Sequence, residues 1–237
     1  MTSLHHFLFG VYPYICLAVF LMGSLARFDR DQYTWKSDSS QLLRRGQLRW
    51  GSNLFHIGIL FLFFGHFVGL LTPHFFYEGF MDAAVKQRLA IYAGGTAGVI
   101  CFVGLSLLLH RRIFDPRIRL TSHRTDLAIL VILWVQLVLG LITLPYSYAH
   151  ADGSAMLVLA EWAQRIVTFR PDAAALVDMD WPYKVHLVLG MTIFLLFPFS
   201  RLVHVWSGFA SVAYLVRPYQ VVRSRRLGVP QSPNKPR

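Results

Sequence analysis

"SNLFHIGILFLFFGHFVGLLTPH", residues 52–74, decides the fold. From Trp50 to Tyr77 there is no Asp, Glu, Lys or Arg, yet His56 and His66 sit inside the run. A spanning helix needs about 20 apolar residues at about 1.5 Å rise each, and this stretch is long enough. An imidazole in hydrocarbon requires a partner, because an unsatisfied polar ring there is expensive. The stretch therefore poses two questions: how many such spans the chain has, and what the histidines hold.

Composition answers the first. Of 237 residues, 55% are hydrophobic and only 15% charged, and the mean hydropathy is +0.46, well outside the range of a soluble domain. The net charge of +11 would suit nucleic acid, but the basic residues lie between long uncharged runs, as they do in membrane proteins. The sequence predicts an all-α integral membrane protein with spans at about 4–26, 52–77, 88–110, 126–148 and 182–207. The fifth is the least clean, with Lys184 near one end and Arg201 inside the other; both can reach polar surroundings by snorkelling. The whole of 1–237 reads as one membrane domain, with 208–237 as a Pro-rich, basic tail.

Charge placement predicts orientation. Segment 27–51 carries Arg27, Arg30, Lys36, Arg44, Arg45 and Arg49, and segment 111–125 carries Arg111, Arg112, Arg117, Arg119 and Arg124. The tail is also basic, whereas the 78–88 and 149–181 connections are poor in base. The positive-inside rule then gives a periplasmic N-terminus and a cytoplasmic C-terminus. No basic residue precedes the first span, which argues against a cleaved signal peptide. In 149–181, "SAMLVLAEWAQRIVTF" has helical periodicity and too few apolar residues to span, so an amphipathic helix on the outer surface is expected.

The chain has ten histidines. His5, His6, His74, His110, His123 and His150 lie near span ends or in loops, where solvation accounts for them. His56, His66, His186 and His204 lie inside the second and fifth spans. A proton relay would place carboxylates beside them, and no carboxylate lies inside any span. Zinc would gather its ligands at one point; these histidines divide into two levels. Antiparallel spans put His56 and His204 near the cytoplasmic end and His66 and His186 near the outer end. Two helices that each offer two imidazoles at matched depths suit two bis-histidine haems. Hydrogen bonding between helices is the alternative. No C-x-x-C-H occurs, so the haems would be non-covalent, and Cys16 and Cys101 read as small buried hydrophobes.

On one continuous helix, eighteen residues make five turns and put His186 and His204 on one face; they also rise about 27 Å, against about 15 Å between His56 and His66. A kink at Pro198 would shorten the longer distance. Gly190 and Gly208, each four residues after a histidine, are expected to leave room beside the ring. Gly94 and Gly98 have the GxxxG spacing of close helix packing.

The motifs "DQYTW" (31–35), "SNLFHIGIL", "GHFVGLLTPH", "VKQ" (85–87), "AGG" (93–95) and above all "HLVLGMTIFLLFPFSRLVHVWS" (186–207) give the chain a resemblance to a known family. It resembles the gamma subunit, a di-haem cytochrome b, of bacterial membrane-bound respiratory nitrate reductases. The match runs from "YPYI" to "WS", without departure at the four histidines, and is weakest in 149–181 and the tail. The resemblance implies two b-type haems, the outer on His66 and His186 and the inner on His56 and His204. It implies menaquinol or ubiquinol as donor, an iron–sulfur beta subunit and a molybdenum-containing alpha subunit on the cytoplasmic side, and a place in the bacterial inner membrane. Arg201 and Arg112 become candidates for the haem propionates, while Arg111 reads as an ordinary positive-inside residue. Lys86, in the short outer loop between the second and third spans, becomes a candidate quinol ligand together with His66. Other readings are a di-haem anchor of another quinone-linked oxidoreductase, or a haem-free anchor or transporter.

Overall fold

The computed structural model describes residues 2–30, 45–150 and 152–206. Within them, five helices are long and apolar enough to cross a membrane. They are α1 (Ser3–Arg30), α2 (Arg45–Leu71), α3 (Ala83–Phe114), α5 (Arg124–Ala149) and the span Trp181–Phe199, whose α-helical part is α7 (Trp181–Leu196). The short α4 (Pro116–Thr121) and the amphipathic α6 (Ser154–Val167) lie in the connections. Helices are the economical solution because every backbone group in hydrocarbon must be satisfied within its own segment.

Irregularities have local causes. Inside α1 a π-helical turn, Phe7–Val11, precedes Pro13. Pro13 has no N–H to give the carbonyl of Phe9, one turn earlier. The Trp162 indole N–H on α6 donates to that carbonyl instead, at 3.0 Å. The second helix ends at Leu71, before Thr72-Pro73, rather than running to 77. A residue before proline is steered away from the helical region, which ends the helix there. The third begins at Ala83, five residues before the expected 88, because Asp82 caps it by accepting from the Val85 N–H at 2.6 Å. Lys86 therefore lies in the first turn of α3, not in the loop where the sequence reading put it.

The largest departure is the fifth span. Its α-helix stops at Leu196; 3-10 turns follow at Phe197–Phe199 and Arg201–Val203, separated by extended Ser200. His186 and His204 thus do not share one face of a continuous helix, and five unbroken turns do not separate them.

Helix α2 packs along α3, α3 along α5, α5 along α7, and α7 along α1. The α2–α3 approach is the closest, made possible by two glycines. A Cβ at Gly58 would lie 2.7 Å from the Cys101 backbone nitrogen, and one at Gly104 would overlap the backbone of Phe55. Around this seam Cys101, Leu105, Leu130 and Leu137 form a buried cluster. A second cluster, with Phe9, Trp162, Ile166 and Leu176, seats the expected amphipathic helix α6 against α1 and α2. Gln164 of α6 donates to the Leu70 and Thr72 carbonyls at 3.0 and 3.3 Å, supplying partners at the C-terminal end of α2. Gln87, 2% exposed, ties three elements: its amide donates to the carbonyls of Ser147 and His150, and its oxygen accepts from Met156 N–H.

Candidate functional site

The four histidines within the spans meet as two pairs. His56 of α2 faces His204, just beyond the break in the fifth span, with ring centroids 6.4 Å apart. His66 of α2 faces His186 of α7 at 6.2 Å. Helices α2 and α7 do not pack along one another, so the imidazoles address each other across the space between them. Among the described residues no group of three or more His, Cys, Asp or Glu assembles; the potential ligands come in twos.

Hydrogen bonds fix which nitrogen is available. His56 Nδ1 lies 2.7 Å from the Ser52 carbonyl, His66 Nδ1 2.7 Å from that of Leu62, and His204 Nδ1 2.6 Å from that of Arg201. A carbonyl only accepts, so each Nδ1 carries the proton and donates, and each Nε2 keeps its lone pair. This is the second-sphere arrangement of a metal-ligating imidazole. Its spacing also suits one: with a histidine–metal bond of about 2 Å, two rings in line on one ion have centroids about 6.4 Å apart. The residues present therefore fit bis-histidine ligation at two levels.

His186 is held differently. Its Nδ1 is buried without a hydrogen-bond partner, and its ring packs on Gly140 of α5, where a Cβ would lie 2.9 Å from Cε1. One turn earlier on α5, the Gln136 amide donates to the His186 carbonyl at 3.0 Å, while Gln136 Oε1 is itself buried without a partner. Gly190, expected to leave room beside the ring, gives its room to Gln136, whose Nε2 would be 3.1 Å from an added Cβ. Gly98 packs on Leu141 of α5, whereas Gly94 has nothing within 4 Å of an added Cβ. Gly208 lies outside the described residues.

At the arginine-rich end, Arg112 of α3 and Arg201 of the broken segment both reach the Asp126 carboxylate, at 3.3 and 3.5 Å. Asp126 is 8% exposed and belongs to the first turn of α5, a helical carboxylate that contradicts the expectation of none within a span. Arg112 also donates to the Ser122 hydroxyl at 3.2 Å. Arg111, expected as an interfacial base, is 2% exposed.

At the other end, Lys86 Nζ is buried with no hydrogen-bond partner and stands 4.0 Å from the centroid of the Tyr77 ring. Burial pushes the Tyr77 phenol up, so it stays neutral and offers the ammonium an electron-rich face. Four of the remaining histidines have hydrogen-bond partners: His5 meets the Ala173 carbonyl, His74 meets Glu78, His110 meets Gln47 and His150 meets the Tyr146 carbonyl, at 2.8, 2.9, 3.3 and 2.9 Å.

Sequence reasoning did not single out Asp126, Gln136, Gly140 or Tyr77. Gln136 had a signal: it is the one amide in the oily run from Leu127 to Pro145, and an intramembrane amide calls for a partner. Asp126 had a weaker one, an acid beside the most basic connection. Gly140 and Tyr77 had none, because their roles depend on residues distant in sequence.

The chain is similar to known proteins along nearly its whole length. The chain is 53% identical to the respiratory nitrate reductase 1 gamma chain of Escherichia coli K12 over 226 residues, covering 95% of this chain and 100% of that one. It is 52% identical to the respiratory nitrate reductase 2 gamma chain of the same organism, over 94% of this chain and 98% of the relative. To the nitrate reductase gamma chain of Bacillus subtilis it is 37% identical, over 92% and 97%. Residues 5–225 match the family described as nitrate reductase gamma subunit. Five apolar helices, two facing imidazole pairs and near end-to-end similarity to these gamma chains lead to one conclusion: the chain belongs to the nitrate reductase gamma subunit family.

Proposed function

We propose that the chain is the quinol-oxidising, di-haem cytochrome b subunit of a respiratory nitrate reductase in the bacterial inner membrane. The observation that carries this reading is the two imidazole pairs at 6.2 and 6.4 Å, on the same two spans and at two depths. Two non-covalent b-type haems, when bound, supply one-electron carriers that no amino-acid side chain provides. His66 and His186 hold the outer one, His56 and His204 the inner one. The Ser52, Leu62 and Arg201 carbonyls keep three of the four rings in the ligating tautomer. Arg112 and Arg201 give the inner level a net positive charge beyond what Asp126 neutralises, which suits haem propionates.

The N-terminus is outside and the C-terminus inside, following the basic connections. Menaquinol or ubiquinol binds at the outer end. Lys86, held over Tyr77, donates to one quinol oxygen and stabilises its developing negative charge. His66 does not take the other oxygen: its Nδ1 proton goes to the Leu62 carbonyl and its Nε2 would go to the iron. The two protons leave on the outside. Each electron moves toward the negative side at about 2.3 kcal/mol per 100 mV, a cost that the redox drop must cover. An iron–sulfur beta subunit and a molybdenum-containing alpha subunit receive the electrons at the arginine-rich face. Part of that face, 31–44 and the tail 207–237, lies outside the described residues.

The test is a reduced-minus-oxidised visible spectrum of purified complexes. Wild type should show two components. His56→Ala and His204→Ala should each delete the same one, and His66→Ala and His186→Ala the other. Loss of one common component in His56→Ala and His186→Ala would refute the pairing, and no haem signal in wild type would refute the reading as a whole.

A further inference from the structure

The break in the fifth span is held from two sides. From α1, Arg27 Nη1 donates to the carbonyls of Pro198 and Ser200 at 2.7 and 2.9 Å, two acceptors exposed by the interruption of the helix. One turn earlier on α1, Gly23 lets Pro198 approach so closely that an added Cβ would lie 2.8 Å from its Cγ. From α5, the buried Asp126 carboxylate takes Arg201 at 3.5 Å and is itself braced by Arg112 at 3.3 Å. The carbonyl of that same Arg201 accepts from His204 Nδ1 at 2.6 Å. A continuous chain of contacts thus runs from Asp126 through the side chain and then the backbone of Arg201 to the His204 ring.

The arrangement solves a problem of length. On an unbroken helix, His186 and His204 would be about 27 Å apart along the axis, and His56 and His66 about 15 Å. Pairing both at matched depth requires the fifth span to tilt or to change direction between its histidines, and the span is interrupted there, at 197–203. The interruption exposes backbone polar groups where water is scarce, so it needs partners from neighbouring helices. Arg27 and Asp126 meet that need, and each acts on the segment that delivers His204.

We infer that Asp126 and Arg27 are positioning residues for His204: together they fix the 197–203 break in the geometry that brings the His204 imidazole opposite His56. The inference rests on the proposed haem ligation. Neither residue touches the iron; each acts through the turn that carries the ligand. Ligand geometry tolerates only about 0.5 Å of slack, so loosening either clamp changes the inner level and leaves His66 and His186 undisturbed.

The experiment is an optical redox titration, with low-temperature spectra, of the assembled complex purified from membranes as wild type, Asp126→Asn, Asp126→Glu and Arg27→Met. Asp126→Asn removes a negative charge near the inner level and frees Arg201. The expected result is a roughly tenfold shift of the inner component toward its reduced form, about 59 mV for one electron, together with a broadened inner spectrum. Asp126→Glu should restore most of both. Arg27→Met should broaden the inner spectrum, because it releases the Pro198 and Ser200 carbonyls. In every variant the outer component should be unchanged. Equal shifts of both components, or an inner component that moves in neither Asp126→Asn nor Arg27→Met, would overturn the inference. If Asp126→Asn does not accumulate, Arg27→Met decides alone, an unmoved inner spectrum counting against the proposal. A wild-type complex lacking two components would instead refute the haem ligation on which the inference stands.

Discussion

Gly140→Ala is a single-methyl test of the outer level. The added Cβ would sit 2.9 Å from His186 Cε1, whereas carbon atoms pack at about 3.5–4.0 Å. The ring must therefore retreat by about 0.6–1.1 Å, more than the roughly 0.5 Å that a ligand set tolerates. His186 has little freedom to comply, because its carbonyl is tied to Gln136 on the same helix that carries residue 140. Overpacking of this kind costs about 1–3 kcal/mol, and exchanging glycine for alanine inside a helix returns about 0.8–1.0 kcal/mol. The net loss, at most about 2 kcal/mol, is small enough for the protein to accumulate and assemble. The assay is the reduced-minus-oxidised spectrum of membranes matched for complex content, with Gly46→Ala as a control, since an added Cβ there meets nothing within 4 Å. The outer component should fall several-fold or lose its low-spin character, and the inner one should persist. An unaltered outer component, or equal loss of both, would refute the argument that Gly140 exists to admit the His186 ring.

Lys86→Ala should leave both haem components and the assembled complex intact but slow haem reduction by quinol roughly ten- to a hundredfold, the equivalent of a charged hydrogen bond worth about 1.5–3 kcal/mol; stopped-flow reduction at the wild-type rate would remove Lys86 from the site. Nitrate reduction with an artificial donor to the cytoplasmic subunits should not change in that variant. Gln87→Leu leaves the Ser147 and His150 carbonyls and the Met156 N–H without their buried partner, at about 1–3 kcal/mol for each group left unsatisfied. It should lower the melting temperature and speed proteolysis between α5 and α6, and unchanged cleavage would contradict the three-way tie. Side chains in 27–51 and 111–125 should be protected from aqueous labelling only in the assembled complex, and equal labelling with and without partner subunits would place the interface elsewhere.

The sequence by itself determined how many times the chain can cross a membrane and the approximate place of each crossing. The cause is local: about 20 successive apolar residues are needed to span hydrocarbon, and a run either has them or does not. It also marked His56, His66, His186 and His204, because an imidazole stands out in a charge-free run, and it marked the amphipathic α6 through periodicity. The antiparallel order of the spans also paired His56 with His204 and His66 with His186; only the tertiary structure decided the backbone geometry that brings each pair face to face. The facing pairs depend on a break at Pro198 whose exposed carbonyls are taken up by Arg27, 171 and 173 residues away in sequence. Asp126 looked like the outer edge of a span until α5 was seen to begin at Arg124, with the carboxylate turned inward between Arg112 and Arg201. Lys86 read as a loop residue until Asp82 proved to cap the helix above it. Gln136 and Gly140 acquired meaning only when α7 laid His186 across them. The bilayer imposes its demand on each segment separately, so that demand is written in contiguous residues. A polar group inside the bundle is satisfied by whichever helix lies beside it, and which helix that is follows from packing, not from position along the chain.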